Sequence, residues 1–151
     1  MTTVLVLNGP NLNLLGVREP ETYGTATLAD VEKLCRQVTD ELGWDLDFRQ
    51  TNYEGELVEV IQQAGVDQRA GELAGVVLNA GAYTHTSIAL ADAIAGSDVR
   101  VIELHISNVH RREAFRHHSY VSAHAAGIII GLGVAGYPLA IRALAELTRP
   151  S

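Results

Sequence analysis

The stretch GVVLNAGAYTHTSIALADAIAGSDVRVIELH, residues 75–105, holds a short apolar run, an Ala-rich segment of helical period opened by Ser87, and a second apolar run from Val99. Apolar runs of four to seven residues bounded by turn residues read as buried strands. Strand, helix and strand within about 30 residues make a βαβ unit, whose two strands lie parallel. The same alternation extends both ways. VLVLN (4–8) is a first strand, and the segment after Thr27 sets Leu28, Val31, Leu34, Val38 and Leu42 on one helical face. Thr27 and Asp30 stand at capping-box spacing, and Gly43 is the stop. WDLDFRQ (44–50) alternates like a half-buried strand, and EGELVEVIQQAG (54–65) presents Leu57, Val58, Ile61 and Ala64 as the inner stripe of a short helix. GIIIG (127–131) is a fifth strand, and Pro138 suits the first turn of a closing helix. Five strands alternating with helical segments imply an α/β, flavodoxin-like three-layer sandwich: a five-stranded parallel sheet with helices on both faces, as a single catalytic domain over 1–151.

Composition narrows the function. The 151 residues carry a net charge of -7, which argues against a nucleic-acid partner because phosphate neutralisation needs a basic face. The one cysteine, Cys35, lies in a helical pattern, so neither a disulfide framework nor a thiolate metal cluster is expected. The chain runs from MTT into a strand with no charged-then-apolar leader, and no apolar run nears membrane-spanning length. A soluble, cytoplasmic protein with no membrane association is expected. Basic residues are concentrated locally: between His105 and His118 stand Arg111, Arg112 and Arg116 with four of the six histidines.

In open α/β sheets ligands bind outside the carboxyl ends of the strands, near the point where strand order reverses. Those ends carry Asn8 to Asn11, Asn79 to Gly81 and His105 to Ser107, so three strands deliver polar groups to one rim. The first is followed by an unusually long connection, NGPNLNLLGVREPETYGT (8–25); strand-to-helix loops usually span about 2–6 residues. It carries Arg18 and Tyr23. A free tyrosine, with a pKa near 10, is a poor base at neutral pH, but a guanidinium held close favours the phenolate. Arg18 precedes Tyr23 by five residues, with Pro20 stiffening the turn between them. Two readings stay open here: Tyr23 as a ring anchoring the loop, or Tyr23 as a reagent. His85 and His105 can supply protons.

Other chemistries find little support. GLGVAG (131–136) matches a dinucleotide fingerprint, but no further strand or acidic partner follows it; a tight turn with close helix packing is the expectation. A phosphate-binding GxxxxGK[ST] loop, a GxSxG elbow and zinc-ligand spacings are absent from the sequence, and no metal is expected. Lys33, the only lysine, falls on the outer part of the first long helix, which disfavours imine chemistry.

The blocks LNGPNLNLLGVREPETYG, VLNAGAYTHTSIALADA, VIELHISNVHRREAFRHHSY and GLGVAGYPLAI occur in this order, and they resemble the type II 3-dehydroquinate dehydratases from Val4 to Leu147. The resemblance implies a cofactor-free conversion of 3-dehydroquinate to 3-dehydroshikimate by anti elimination of water through an enolate, the third step of the shikimate pathway. It implies Tyr23 as the base at C2, Arg18 as the cation promoting its phenolate, Asn11 as the group orienting a water at the enolate oxygen, and His105 as the acid at the departing hydroxyl. It further implies that Ile106 and Ser107 hold the substrate carboxylate, that Asn79, His85 and Arg116 grip the ring hydroxyls and carboxylate side, and that Asp92 reaches a neighbouring subunit's site. Glu103 would support His105, with Arg112 another basic residue nearby. A homo-oligomer, a dodecamer of trimers, is implied as well. Ala80, Tyr53 and Ala123 depart from common family residues outside the reagents. Two rivals remain: a flavin-binding module using the same rim, for which aromatic rings are few, and a nucleic-acid contact through Arg111 to Arg116.

Overall fold

Val4, Leu5, Val6 and Leu7 are all buried, yet they belong to two different cores because successive strand residues point to opposite faces. The computed structural model describes residues 2–150. Its strands β1 (Thr3–Asn8), β2 (Asp45–Gln50), β3 (Leu73–Asn79), β4 (Val101–His105) and β5 (Gly127–Ile130) pair in parallel in the order β2-β1-β3-β4-β5. This is the flavodoxin-like order, with its reversal between β1 and β3. Among the helices are α1 (Pro20–Tyr23), α2 (Leu28–Leu42), α3 (Glu54–Arg69), α4 (Ile88–Ser97) and α5 (Gly136–Thr148). Val4, Val6, Val77 and Leu104 pack with α2 and α5 on one face. Leu5, Leu7, Val76 and Leu78 pack with α3 and α4 on the other. Each fully buried Leu, Ile or Val contributes about 1.5–3 kcal/mol, and two-sided burial explains why β3 reads as a continuous apolar run.

The first long helix ends as its sequence dictates. Asp30 N donates to Thr27 Oγ1 at 3.2 Å, Thr27 N donates to Asp30 Oδ2 at 3.0 Å, and Gly43 caps the far end at φ 69°. Cys35 is completely buried inside this helix's packing face, and burial pushes its thiol pKa up to about 12. It should therefore stay unlabelled by a disulfide reagent at mildly alkaline pH until the chain unfolds; rapid labelling of the native protein would contradict this packing.

Two segments differ from the sequence expectation. The helix expected to end at Gly65 continues to Arg69, because Gly65 is a crossing point. A Cβ there would lie 2.6 Å from the Ser97 carbonyl oxygen of α4, so glycine permits close approach of the two helices. The long connection after β1 is not wholly irregular. It holds a 3-10 turn, Leu12–Leu14, and the one-turn α1 opened by Pro20. Leu12 and Leu15 are buried in the α2/α5 core and anchor the loop.

GLGVAG forms a turn and a close helix contact. Gly131 and Gly133, at φ 83° and 65°, donate their N–H groups to the carbonyls of His105 and Ile106 at 3.1 Å each. At Gly136 a Cβ would meet Leu104 Cδ1 at 2.6 Å. Among the described residues no helix is long and apolar enough to cross a membrane.

Candidate active site

Asn8 and Asn79, at the carboxyl ends of β1 and β3, are register partners at the switch point, and both are buried. Buried amides need partners. The fully buried Tyr137 of α5 supplies them: its hydroxyl donates to Asn8 Oδ1 at 2.7 Å and accepts from Asn79 Nδ2 at 2.9 Å. Asn79 Oδ1 accepts from Gly81 N at 3.2 Å, which sets the amide's orientation at the rim. Burial drives the Tyr137 phenol pKa upward, so it remains a donor. Sequence reasoning passed over Tyr137 because an aromatic in an apolar helical stripe reads as core; the only signal was a hydroxyl where Phe would suffice for packing.

β4 ends in Glu103, Leu104 and His105, and alternation puts Glu103 and His105 on the same side of the sheet. Both are buried, and His105 Nε2 meets Glu103 Oε2 at 2.5 Å. The other carboxylate oxygen accepts from Ser122 Oγ. Burial raises the Glu103 pKa, but hydrogen bonds from His105, Ser122 and Ser119, together with the charge of His105, outweigh it and hold the carboxyl below its ordinary 4.5. Because that value is depressed on folding, the ionised carboxylate stabilises the fold fully above the ordinary range, and the contribution is lost as pH falls through the folded value. Glu103→Gln should therefore flatten the decline of Tm with pH below about 4.5. Thermal melts across acidic buffers check this; a decline as steep as in the parent would contradict it.

His85 stacks near His105, ring centroids 6.1 Å apart, with Nδ1 2.8 Å from the His118 carbonyl. A carbonyl only accepts, so Nδ1 carries the proton. Burial lowers the His85 pKa despite that bond, and the His105 ring and Arg116 guanidinium add to the effect. Neutral His85 thus keeps an acceptor lone pair on Nε2.

The loop brings Tyr23 over this rim. Its hydroxyl accepts a 2.6 Å hydrogen bond from Arg112 Nη1. Arg18 lies 5.6 Å over the ring centroid, beside Tyr23 but against its face rather than its oxygen, and its Nη2 sits 3.7 Å from Glu19 Oε2. Arg112, named from sequence only as a nearby basic residue, holds that contact. Asn11 takes a left-handed backbone, φ 68°, and its side chain makes no capping bond. Arg116 is held by Glu113 Oε2 at 2.8 Å.

These groups line one cavity that includes Asn11, Arg18, Tyr23, Asn79, His85, His105, Ile106, Ser107, Arg112 and Arg116. Its three guanidinium groups favour an anionic ligand. Glu103 lies behind His105. Asp92 is exposed on α4 and is not part of the lining. Among the described residues no group of three or more His, Cys, Asp or Glu is arranged to hold a metal ion.

A family model described as dehydroquinase class II matches residues 2–145. A 3-dehydroquinate dehydratase of Marinomonas sp. (strain MWYL1) is 62% identical over 144 residues, spanning 95% of this chain and 96% of its own. The 3-dehydroquinate dehydratase 2 of Ralstonia nicotianae is 60% identical over 150 residues, 99% of this chain and 97% of its own. Among solved structures, a type II dehydroquinase from Butyrivibrio crossotus superposes with a TM-score of 0.90 at 39% identity, covering 95% of this chain and 97% of that one. One from Propionibacterium acnes gives 0.87 at 46% identity, covering 97% and 96%.

Proposed function

Since this chain belongs to the class II dehydroquinase family, we propose that it is a hydro-lyase converting 3-dehydroquinate to 3-dehydroshikimate, the third step of the shikimate pathway, with residues 1–151 acting as one catalytic domain. The observation that carries the reading is the meeting of an Arg112-held Tyr23 hydroxyl and a Glu103-held His105 ring in one cationic cavity.

The substrate is a β-hydroxy ketone, and its dehydration needs a base at C2, a holder for the enolate and an acid at the leaving hydroxyl. Tyr23, as phenolate, takes the C2 proton. The Arg112 hydrogen bond and the Arg18 guanidinium over the ring favour that charge. Electrons move onto the C3 carbonyl oxygen, where Asn11 orients a water against the developing charge. Collapse of the enolate expels the C1 hydroxyl as water with a proton from His105. His105 donates Nε2–H to Glu103, so Nδ1 is left to carry the proton that moves, and the buried carboxylate balances the imidazolium. Ile106 and Ser107 receive the substrate carboxylate, while Asn79, His85 and Arg116 receive the ring hydroxyls and carboxylate side. No cofactor enters this scheme. Lys33 is exposed on α2, which supports a route without an imine.

A homo-oligomer, a dodecamer of trimers in which Asp92 meets a neighbour's site, and a cytoplasmic location complete the reading; light scattering of the purified protein tests the assembly. For the activity, 3-dehydroquinate is added and the conjugated enone followed by absorbance. Folded protein giving no signal would sink the proposal.

A further inference from the structure

We propose that Asn52, just beyond the carboxyl end of β2, is a positioning residue for Asn11. The proposal rests on the role given to Asn11 above. It adds β2 to the three strand ends that build the site, although β2 is an edge strand and its end bears no residue of the cavity lining.

Asn11 sits at φ 68°, ψ -2°. Asparagine tolerates the left-handed conformation better than most residues other than glycine, but a single orientation of the turn still has to be held by its surroundings. Asn11 does not enforce it with its own amide, which makes no capping bond. Its backbone N–H instead donates to Asn52 Oδ1 at 3.0 Å. The same oxygen accepts from Gln50 Nε2 at 3.1 Å, and Gln50 Nε2 also reaches the Gly9 carbonyl at 3.1 Å and Asn13 Oδ1 at 3.4 Å. The Asn52 carbonyl in turn accepts from Tyr83 Oη at 2.8 Å, in the 3-10 segment Gly81–His85 that follows β3. Strand register brings these groups together, since Asn8 pairs with Gln50 on one side and with Asn79 on the other.

Asn52 thus clamps the base of the Asn11 turn to the segments beyond β2 and β3. The Asn11 amide is aimed by its backbone, and both of its polar atoms stay available to the cavity. A group that meets charge developing in the transition state must be aimed in advance, so loosening this clamp lowers kcat more than it raises KM. Asn52 uses an acceptor toward Asn11 and Gln50, so a carboxylate can replace its amide.

The experiment compares Asn52→Ala, Asn52→Asp and Asn11→Ala, alone and combined, with 3-dehydroquinate as substrate and Tm measured in parallel. Asn52→Ala should lower kcat about 10-fold or more with KM within about threefold, and Asn52→Asp should stay within about threefold of the parent kcat. In the Asn11→Ala background, Asn52→Ala should cost less than about twofold, because the two act through one contact. Asn52→Ala within about twofold of the parent, or the same loss in both backgrounds, overturns the proposal. Should Asn52→Ala not fold, Asn52→Asp decides: a parent-like kcat supports positioning, and a folded variant about 10-fold slower overturns it. Parent protein without turnover sinks the proposed function itself, whereas turnover indifferent to Asn52 sinks only the clamp.

Discussion

Tyr23→Phe is expected to lower kcat by about 10³-fold, near the middle of the range for a positioned general base, while product affinity stays within about threefold. The change deletes one oxygen. The ring is packed against the α2/α5 core and the loop is separately anchored by Leu12 and Leu15, so phenylalanine keeps the packing and the fold. What disappears is the atom that Arg112 Nη1 holds at 2.6 Å. Rapid-mixing or steady-state kinetics with 3-dehydroquinate, paired with calorimetric titration of product, separates the two effects. A near-parent kcat would return Tyr23 to an anchoring role; lost affinity with an unchanged kcat would make it a binding group.

His105→Gln is expected to reduce kcat by about 10²–10³-fold. Glutamine is polar and its amide nitrogen reaches the place of Nε2, so it can still donate to Glu103 Oε2, but it has no atom that exchanges a proton near neutral pH. Glu103 would remain buried and bonded to Ser122, so the loss belongs to proton delivery rather than to collapse of the strand end. Following Tm beside kcat checks this separation. A Tm that falls far while kcat of the surviving folded fraction stays near the parent would place His105 in structure alone.

Most of the fold was legible because its signals are local. The capping box of Thr27 and Asp30, the Gly43 stop and the buried run of β3 each depend on neighbours within a few residues. The helix read over 54–65 runs on to Arg69, and the reason for Gly65, the Ser97 carbonyl 2.6 Å from where a Cβ would stand, belongs to another helix and leaves no local signal. The site was legible at the strand ends, where Asn11, Asn79, His105 and Ser107 project from a rim that topology alone locates. Arg18 and Arg112 could not be ranked by proximity along the chain: the one five residues from Tyr23 lies over the ring, and the one 89 residues away bonds its hydroxyl.

Strand and helix identity, the two-sided core and the rim on which the chemistry stands were determined by the sequence itself, because periodic burial and chain punctuation act over one or two turns of structure. The contacts that make a rim into a site were decided only in three dimensions. Tyr137 reaches Asn79 across 58 positions and Asn8 across 129, and Asn52 reaches Asn11 across 41. No periodicity encodes such contacts. Each depends on the order and register of parallel strands, which bring distant ends to one edge of the sheet, and on burial, which leaves each polar group only the partners placed beside it.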